Sequence, residues 1–234
     1  MNILNALLDI VSPGWCASCG RPVAREERHL CKECFSKIEY VKDACPVCSG
    51  IIDPNTGECG ICSKRHIYFD KNISIAEYDG VIKSLIADYK FGSKKRCASL
   101  LADICFERAE DLLEKTDCVT AVPSSRRKKL KRGFNQSELI AKELARMAGR
   151  PYKDILKEKQ SGHKQKTLGF SDRFFNVLDR YELKSRASSP CAVLIVDDVF
   201  TTGATLNECS RTLKDAGFAP VFSLAAARVG IKNT

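Results

Sequence analysis

The sequence lacks any long hydrophobic run. No stretch of its 234 residues approaches the roughly 20 consecutive apolar residues that a membrane-spanning helix needs. The apolar segment 1–11 has no basic residues ahead of it and includes Asp9, so it predicts a short amphipathic helix rather than a secretion signal. These absences favour a cytoplasmic protein without a membrane span.

Aromatic residues are also scarce. They make up 8% of the chain, with a single Trp, so the sequence offers no obvious platform on which nucleic-acid bases could stack. Charge is abundant by contrast, with 38 Lys and Arg against 29 Asp and Glu and a formal net charge of +9. This excess favours anionic ligands or nucleic acid as partners.

Cysteine is the residue that the chain has in excess, with 13 copies. Eight of them form four Cys-x-x-Cys pairs, and each pair can wrap one side of a tetrahedral Zn²⁺. The odd total and the absence of a secretion signal argue against disulfides, and no βαβ context supports a redox role. Spacing leaves sequential, interleaved and nested pairings open. We favour two structural zinc sites in sequential order, Cys16, Cys19, Cys31 and Cys34 on one and Cys45, Cys48, Cys59 and Cys62 on the other.

The most informative stretch is 193–205, Val-Leu-Ile-Val-Asp-Asp-Val-Phe-Thr-Thr-Gly-Ala-Thr. The apolar run 191–196 predicts a buried strand that ends at Asp197 and Asp198, and the periodicity after the loop predicts a helix that ends at Gly217. Backbone N–H groups at a helix N-terminus bind phosphate, whereas paired carboxylates suit sugar hydroxyls or Mg²⁺. The stretch therefore predicts a ligand with a phosphate, a diol and a metal, and a phosphorylated ribose meets that description.

A second strand, predicted at 118–122, leads into Pro123-Ser124-Ser125-Arg126. Hydroxyls, backbone amides and a guanidinium suit a diphosphate. Ligands of open α/β sheets bind at the carboxyl ends of the strands, so the basic run that follows would add positive potential to the cleft or form a surface for a polyanion. The candidate nucleic-acid contacts in this run are Arg127, Lys128, Lys129, Lys131 and Arg132. A further strand is predicted at 152–156.

Together these motifs resemble a known family. The stretch 193–205 closely resembles the 5-phosphoribosyl-1-pyrophosphate (PRPP) signature of type I phosphoribosyltransferases. The ComF family, amidophosphoribosyltransferase-like proteins linked to natural competence, is similar in its whole order of motifs: the Cys-x-x-Cys module, Tyr78-Asp79-Gly80, Val122-Pro123, Arg132-Gly133-Phe134-Asn135-Gln136 and the PRPP signature. The resemblance implies an α/β, Rossmann-like, mainly parallel sheet flanked by helices in residues 67–234. A double zinc-ribbon module would precede it in residues 1–66.

The resemblance also implies roles for individual residues. Asp197 and Asp198 would contact the ribose hydroxyls, while residues 201–205 would cradle the 5′-phosphate. Residues 160–171 resemble the mobile loop that closes over PRPP, in which Lys164 would act in catalysis with Asp197 and Asp198. The implied PRPP-binding set is Asp197, Asp198, Thr201, Thr202, Gly203, Ala204, Thr205, Pro123, Ser124, Ser125, Arg126, Gln165 and Arg173.

Three functions are compatible with these features. The first is Mg²⁺-dependent transfer of phosphoribose from PRPP to an unidentified acceptor, with release of pyrophosphate, in a protein that handles single-stranded DNA during competence and DNA uptake. The second is a non-catalytic nucleic-acid-binding protein in which PRPP or a nucleotide is a regulatory ligand. The third is an adaptor whose zinc ribbons dock a competence helicase or another DNA-processing protein.

Overall fold

A computed structural model describes most of the chain. It covers residues 14–23, 30–91, 94–125, 129–130, 132–159, 179–185 and 191–230, except for the side chains of 88–91 and 94–96. The strands are β1 Gly14–Trp15, β2 Pro22–Val23, β3 Lys71–Glu77, β4 Cys118–Ala121, β5 Leu156–Glu158, β6 Tyr181–Leu183, β7 Val193–Phe200 and β8 Val221–Arg228. The helices are α1 Lys32–Ser36, α2 Gly80–Phe91, α3 Lys94–Glu114, α4 Gln136–Met147 and α5 Ala204–Asp215, and residues Cys62–Lys64 form a 3₁₀ turn.

The central sheet has four strands in the order β3-β8-β7-β4, and every neighbouring pair is parallel. Strand β7 lies inside the sheet and is apolar on both faces because helices cover both. Leu194 and Val196 face the cluster that α3 and α4 complete, and Val193 and Ile195 face the cluster that includes residues of α5. The predicted class, a mainly parallel sheet flanked by helices and preceded by a cysteine-rich module, is confirmed.

The helix predicted after the 201–205 loop is present as α5. Its apolar residues Leu206, Cys209 and Leu213 are fully buried, which the helical spacing requires of one face. Gly217, at a φ of +91°, follows the helix in the left-handed conformation that glycine adopts without strain.

Two strand predictions need correction. Strand β7 does not end before Asp197 but runs on to Phe200, because β8 is long enough to pair with it over those residues. The strand predicted at 152–156 is wrong in position. Tyr152 pairs with Val119 in a single bridge, residues 153–155 form no strand, and Leu156 begins β5, which pairs antiparallel with β6.

The cysteine-rich module packs on the sheet instead of standing apart. Cys16 and Cys34 belong to the apolar cluster on the α3–α4 side, and Cys45 and Cys48 belong to the cluster on the α5 side. In the first Cys-x-x-Cys turn, the Gly20 amide donates to the carbonyl of Cys16 at 2.9 Å, with Gly20 at a φ of +70°. Among the described residues, no helix combines the length and apolar character that crossing a membrane requires.

Candidate functional site

The eight paired cysteines form two groups. In each group the four Sγ atoms lie within 4.8 Å of one another, and the members are Cys16, Cys19, Cys31 and Cys34 (the first quartet) and Cys45, Cys48, Cys59 and Cys62 (the second quartet). This is the sequential arrangement that we favoured. Sulfur ligands at about 2.3 Å from a tetrahedral metal are about 3.8 Å apart. The Cys19–Cys31 and Cys45–Cys62 Sγ distances are both 3.8 Å, so each quartet could hold a metal ion such as structural zinc.

The two quartets differ in exposure. Cys19 of the first quartet is exposed, and Arg21 lies beside it with an Nε–Sγ distance of 3.5 Å. This guanidinium lowers the pKa of Cys19 to about 6 and so favours the thiolate that binds metal. Each quartet has two buried cysteines, but the second has no exposed member, because Cys59 and Cys62 are partly buried.

A polar cleft of ≈ 370 Å³ opens at the carboxyl ends of β4 and β7. It forms where β4 stops at Ala121 while β7 continues into Asp197 and Asp198, so that these carboxylates lie beyond the last pair of the β4–β7 ladder. Both acids line the cleft, as predicted from the strand-to-loop pattern. The other lining residues are Tyr78, Val122, Pro123, Ser124, Ser125, Arg132, Asn135, Gln136, Ser137, Glu158, Arg180, Tyr181, Val199, Thr201, Thr205 and Val229.

The surroundings of Asp197 favour the protonated form of its carboxyl group. Its Oδ1 accepts hydrogen bonds from Ser137 Oγ at 2.8 Å and from the backbone N–H of Asp198 at 2.9 Å. Burial raises the pKa of Asp197 to about 8, and the neighbouring Asp198 carboxylate adds to the rise, although the Ser137 hydroxyl opposes it. A cation or a set of hydroxyl donors at the cleft would therefore favour the ionised form of Asp197.

Removing the Asp197 carboxylate should stabilise the ligand-free protein, and more so at alkaline pH. The folded pKa lies above the ordinary value of 3.8, so the native state keeps a proton that the unfolded state has lost. Stability then falls as the pH rises from about 4 to about 8. Calorimetry should show that the Tm of Asp197→Asn exceeds that of the wild type by more at pH 8.5 than at pH 5. A difference in Tm that stays constant or shrinks as the pH rises would contradict the raised pKa of Asp197. The control is Asp154→Asn, because Asp154 is an exposed acid paired with Lys184.

The loop after β7 makes a tight turn into α5. Gly203 precedes α5 with a φ of +73°, and the Phe200 ring lies so close that a Cβ on Gly203 would come within 2.4 Å of its Cζ atom. Thr201 and Thr205 line the cleft on either side of this tight turn. Thr202 is buried, with its Oγ1 3.4 Å from the Ala204 amide, and neither Thr202, Gly203 nor Ala204 lines the cleft.

The segment after β4 reaches the same cleft, where Pro123, Ser124 and Ser125 form part of the wall. Of the basic run, Arg132 lines the cleft, while Lys129 is exposed and pairs with Glu138 at 3.7 Å. The remaining predicted residues lie outside the described part of the chain, namely Arg126, Arg127, Lys128, Lys131, Lys164, Gln165 and Arg173.

Sequence reasoning missed several residues of the cleft. Ser137 lies on the first turn of α4, directly after the Arg132-Gly133-Phe134-Asn135-Gln136 motif, and only the fold brings it to Asp197. Glu158, the last residue of β5, and Arg180, the residue before β6, form an ion pair at the cleft, with an NH2–Oε1 distance of 2.6 Å. Tyr181, the first residue of β6, completes that wall. These residues are isolated polar positions without a motif, so no local signal marks them.

Comparison with known proteins gives homologues over most of the chain, although no family model matches it. Competence protein F of Haemophilus influenzae is 28% identical over 218 residues, which are 90% of this chain and 88% of that protein. DNA utilization protein YhgH of Escherichia coli K12 is 28% identical over 215 residues, which are 89% of this chain and 94% of the relative. Competence protein ComFC of Bacillus subtilis is 25% identical over 200 residues, 82% of this chain and 81% of the relative.

Solved structures with some similarity include the allosteric regulatory enzyme of purine biosynthesis (21% identity, TM-score 0.39, 56% of this chain and 26% of that one). Another is orotate phosphoribosyltransferase from Aeropyrum pernix (18% identity, TM-score 0.37, 61% of this chain and 62% of that one). The homologues named competence protein F, ComFC and YhgH confirm the resemblance to the ComF family that the order of motifs predicts.

Proposed function

We propose that the protein binds PRPP, together with Mg²⁺, in the cleft at the carboxyl ends of β4 and β7. The observation that carries this proposal is that Asp197 and Asp198 line one cleft together with hydroxyl-bearing residues from two segments that follow parallel strands. Thr201 and Thr205 of the loop after β7 line the same cleft as these acids, and so do Ser124 and Ser125 of the segment after β4. In this arrangement the acids hold the ribose diol, the loop holds the 5′-phosphate at the start of α5, and the serines face the pyrophosphate.

As part of this proposal, the chain divides into a zinc-binding module (1–66) and a phosphoribosyltransferase-like domain (67–234) of a cytoplasmic protein. Catalysis would be displacement of pyrophosphate at the anomeric carbon of the ribose by an acceptor. Mg²⁺ bound with the substrate would neutralise the leaving group. Asp197 and Asp198 would orient the diol and oppose the positive charge that develops on the ribose.

Isothermal titration calorimetry of the zinc-loaded protein tests the binding step. PRPP with Mg²⁺ should give saturable 1:1 binding, and ribose 5-phosphate or pyrophosphate alone should each bind more weakly because each occupies only part of the cleft. Absence of PRPP binding by the folded protein, or equal affinity for pyrophosphate alone, would refute the proposal. Release of pyrophosphate in the presence of ammonia or nucleobases would then test transfer.

A second function, binding of single-stranded DNA, is favoured by the basic run 126–132, of which Arg132 lines the cleft, and by the net charge of +9. The relatives' names, competence protein and DNA utilization protein, point the same way. Replacing Arg127, Lys128 and Lys131 with Glu should weaken binding of a labelled oligonucleotide and flatten its salt dependence, because phosphate contacts release counterions. If the affinity for the oligonucleotide, measured by fluorescence anisotropy at low salt, were unchanged, DNA binding by the basic run would be refuted. The adaptor function, in which the protein docks a DNA-processing partner, would then be the better explanation.

We also propose that both quartets hold structural zinc, and we expect them to release it at different rates. A chelator reaches the exposed Cys19 of the first quartet more readily than the buried Cys45 and Cys48 of the second. Release into a chromogenic chelator should therefore be biphasic, with two zinc ions per chain. Cys19→Ser should abolish the fast phase alone, whereas Cys48→Ser should abolish the slow phase. A single phase in the wild type, or loss of the slow phase in Cys19→Ser, would rule out this assignment.

A further inference from the structure

We propose that Arg228 is a positioning residue that links the second quartet to the phosphate loop, so that metal loading of this quartet sets the affinity of the cleft for a sugar phosphate. The affinity part of this inference rests on the proposed function, whereas the mechanical link between Arg228 and the loop does not. The link runs through the turn at residues 45–50, which we call the knuckle, to the last residue of β8 and from there to the cleft.

The knuckle has a fixed backbone that depends on its cysteines. The Ser49 amide donates to the carbonyl of Cys45 at 2.8 Å, the Cys45 amide donates to the carbonyl of Gly50 at 2.9 Å, and the Gly50 amide points at Cys48 Sγ at 3.3 Å. Ser49 has a φ of +56°, a left-handed conformation that non-glycine residues adopt only where the surroundings impose it. Ligation of Cys45 and Cys48 by one metal therefore fixes the direction in which the Ser49 carbonyl points.

Buried polar groups bind the knuckle to β3. Asn72 donates from its backbone N–H to the carbonyl of Val47 at 2.7 Å and from Nδ2 to the carbonyl of Cys48 at 2.9 Å. Ser49 Oγ donates to the carbonyl of Asn72 at 2.8 Å and accepts from the Ser74 amide at 3.1 Å. Ser49, Asn72 and Ser74 are all buried, so a loosened knuckle would leave polar groups unpaired away from water.

Arg228 extends this network to the far end of the sheet. Its NH1 donates to the Ser49 carbonyl at 2.6 Å, and its Nε and NH2 donate to Glu77 Oε1 at 2.8 and 2.7 Å. The Arg228 side chain is only 9% exposed, so its charge depends on both partners. Losing the Ser49 carbonyl would leave a buried guanidinium with an unmet donor, and a movement of the end of β8 would relieve it.

The end of β8 is bonded directly to two parts of the cleft. The Arg228 carbonyl accepts from the Tyr78 amide at 2.6 Å, and the next residue, Val229, donates its amide to the Phe200 carbonyl at 2.9 Å. Tyr78 and Val229 both line the cleft. Phe200 is the last residue of β7, and its ring packs on Gly203. A shift of Arg228 therefore moves one wall of the cleft and the residue that supports the phosphate loop.

Hydrogen–deuterium exchange of the zinc-loaded full chain tests the link without any ligand. Arg228→Gln removes the ion pair, and it should speed exchange in peptides that cover residues 200–206 and 229 by roughly 3- to 30-fold. Arg150→Gln is the matched control, because Arg150 also donates to a backbone carbonyl, that of Glu114, but lies outside the cleft lining. Unchanged exchange at 200–206 in a folded Arg228→Gln protein that retains both zinc ions would overturn the inference.

Metal dependence is tested by variants of the two quartets. Cys62→Ser in the second quartet should raise exchange at 200–206 as Arg228→Gln does, whereas Cys19→Ser in the first quartet should not. The double variant Arg228→Gln/Cys62→Ser should show no more exchange than the larger single effect, because both changes act through one path. Equal effects of Cys19→Ser and Cys62→Ser, or additive effects in the double variant, would show that metal and loop are not linked through Arg228.

Calorimetry with PRPP separates this inference from the proposed function. If the wild type binds PRPP, Arg228→Gln should raise the Kd by roughly 3- to 30-fold at unchanged zinc content. If the wild type does not bind PRPP, the proposed function fails and the exchange data alone decide the link. Should Arg228→Gln fail to fold, Arg228→Lys replaces it, because a single ammonium cannot reproduce the forked contacts of the guanidinium. Wild-type exchange in Arg228→Lys would then count against the inference.

Discussion

Replacing Asp197 and Asp198 together with Asn is expected to weaken PRPP binding by at least roughly 100-fold. Hydrogen bonds that involve a charged group contribute about 1.5–3 kcal/mol each, and the double variant removes two charged acceptors from the floor of the cleft. Both side chains line the cleft, and Asn keeps their shape. The loss would therefore reflect charge and not a change of volume.

Calorimetry at pH 8.5 is the appropriate measurement, because the pKa of Asp197 of about 8 leaves much of the wild-type carboxyl protonated at neutral pH. The variant Asp154→Asn/Asp215→Asn is the matched control. It also removes two negative charges, from exposed acids paired with Lys184 and Arg211 that do not line the cleft. The Tm of the double variant, measured at the same pH, shows whether it is folded, so that lost binding is not confused with unfolding. Affinity within about threefold of the wild type would mean that the ligand is bound elsewhere.

The sequence predicts the parts of this protein whose signals are local. The apolar run 191–196, the helix after the 201–205 loop and the four Cys-x-x-Cys pairs are short-range patterns. The structure contains all of them, with the strand beginning at Val193. That the segments after β4 and β7 meet at one edge of the sheet also followed from a general rule, because the carboxyl ends of parallel strands lie at the same edge. Local chemistry and this topological rule were sufficient to place Asp197 and Asp198 in one cleft with Ser124 and Ser125.

Features set by distant partners could not be predicted. The length of β7 depends on β8, so the polar residues Asp197 and Asp198 belong to a strand that hydrophobicity alone would end earlier. The hydrogen bond from Ser137 to Asp197 joins residues 60 positions apart, and the contact of Arg228 with Ser49 joins residues 179 positions apart. Each involves a single polar residue without periodicity, so only the folded chain reveals it.

Replacing Gly203 with Ala should destabilise the protein and weaken phosphate binding together. The left-handed φ of +73° costs a non-glycine residue about 1–2 kcal/mol. The new Cβ would also lie 2.4 Å from Cζ of the buried Phe200 ring, and overpacking of this kind costs about 1–3 kcal/mol. The combined loss corresponds to a fall in Tm of roughly 5–15 °C. Phe200 directly precedes Thr201. A movement of the Phe200 ring that relieves the clash would therefore also displace Thr201 and weaken PRPP binding by roughly 10-fold or more.

Two variants separate the backbone strain from the clash. Gly149→Ala introduces a side chain at a φ of +62° with no atom within 4 Å of the new Cβ, so it should show the strain alone and leave PRPP binding intact. Phe200→Leu combined with Gly203→Ala removes the ring atoms that meet the Cβ. The fall in Tm of this double variant should therefore be smaller than the sum of the falls in the two single variants, as a double-mutant cycle would show. If the cycle were additive, or if Gly203→Ala melted no lower than Gly149→Ala, the close packing of Phe200 on Gly203 would not be what shapes the phosphate loop. A positive coupling energy between Gly203→Ala and Phe200→Leu, together with weakened PRPP binding in Gly203→Ala, would support the proposed role of Gly203. It would show that glycine is required there because the Phe200 ring occupies the space of a side chain.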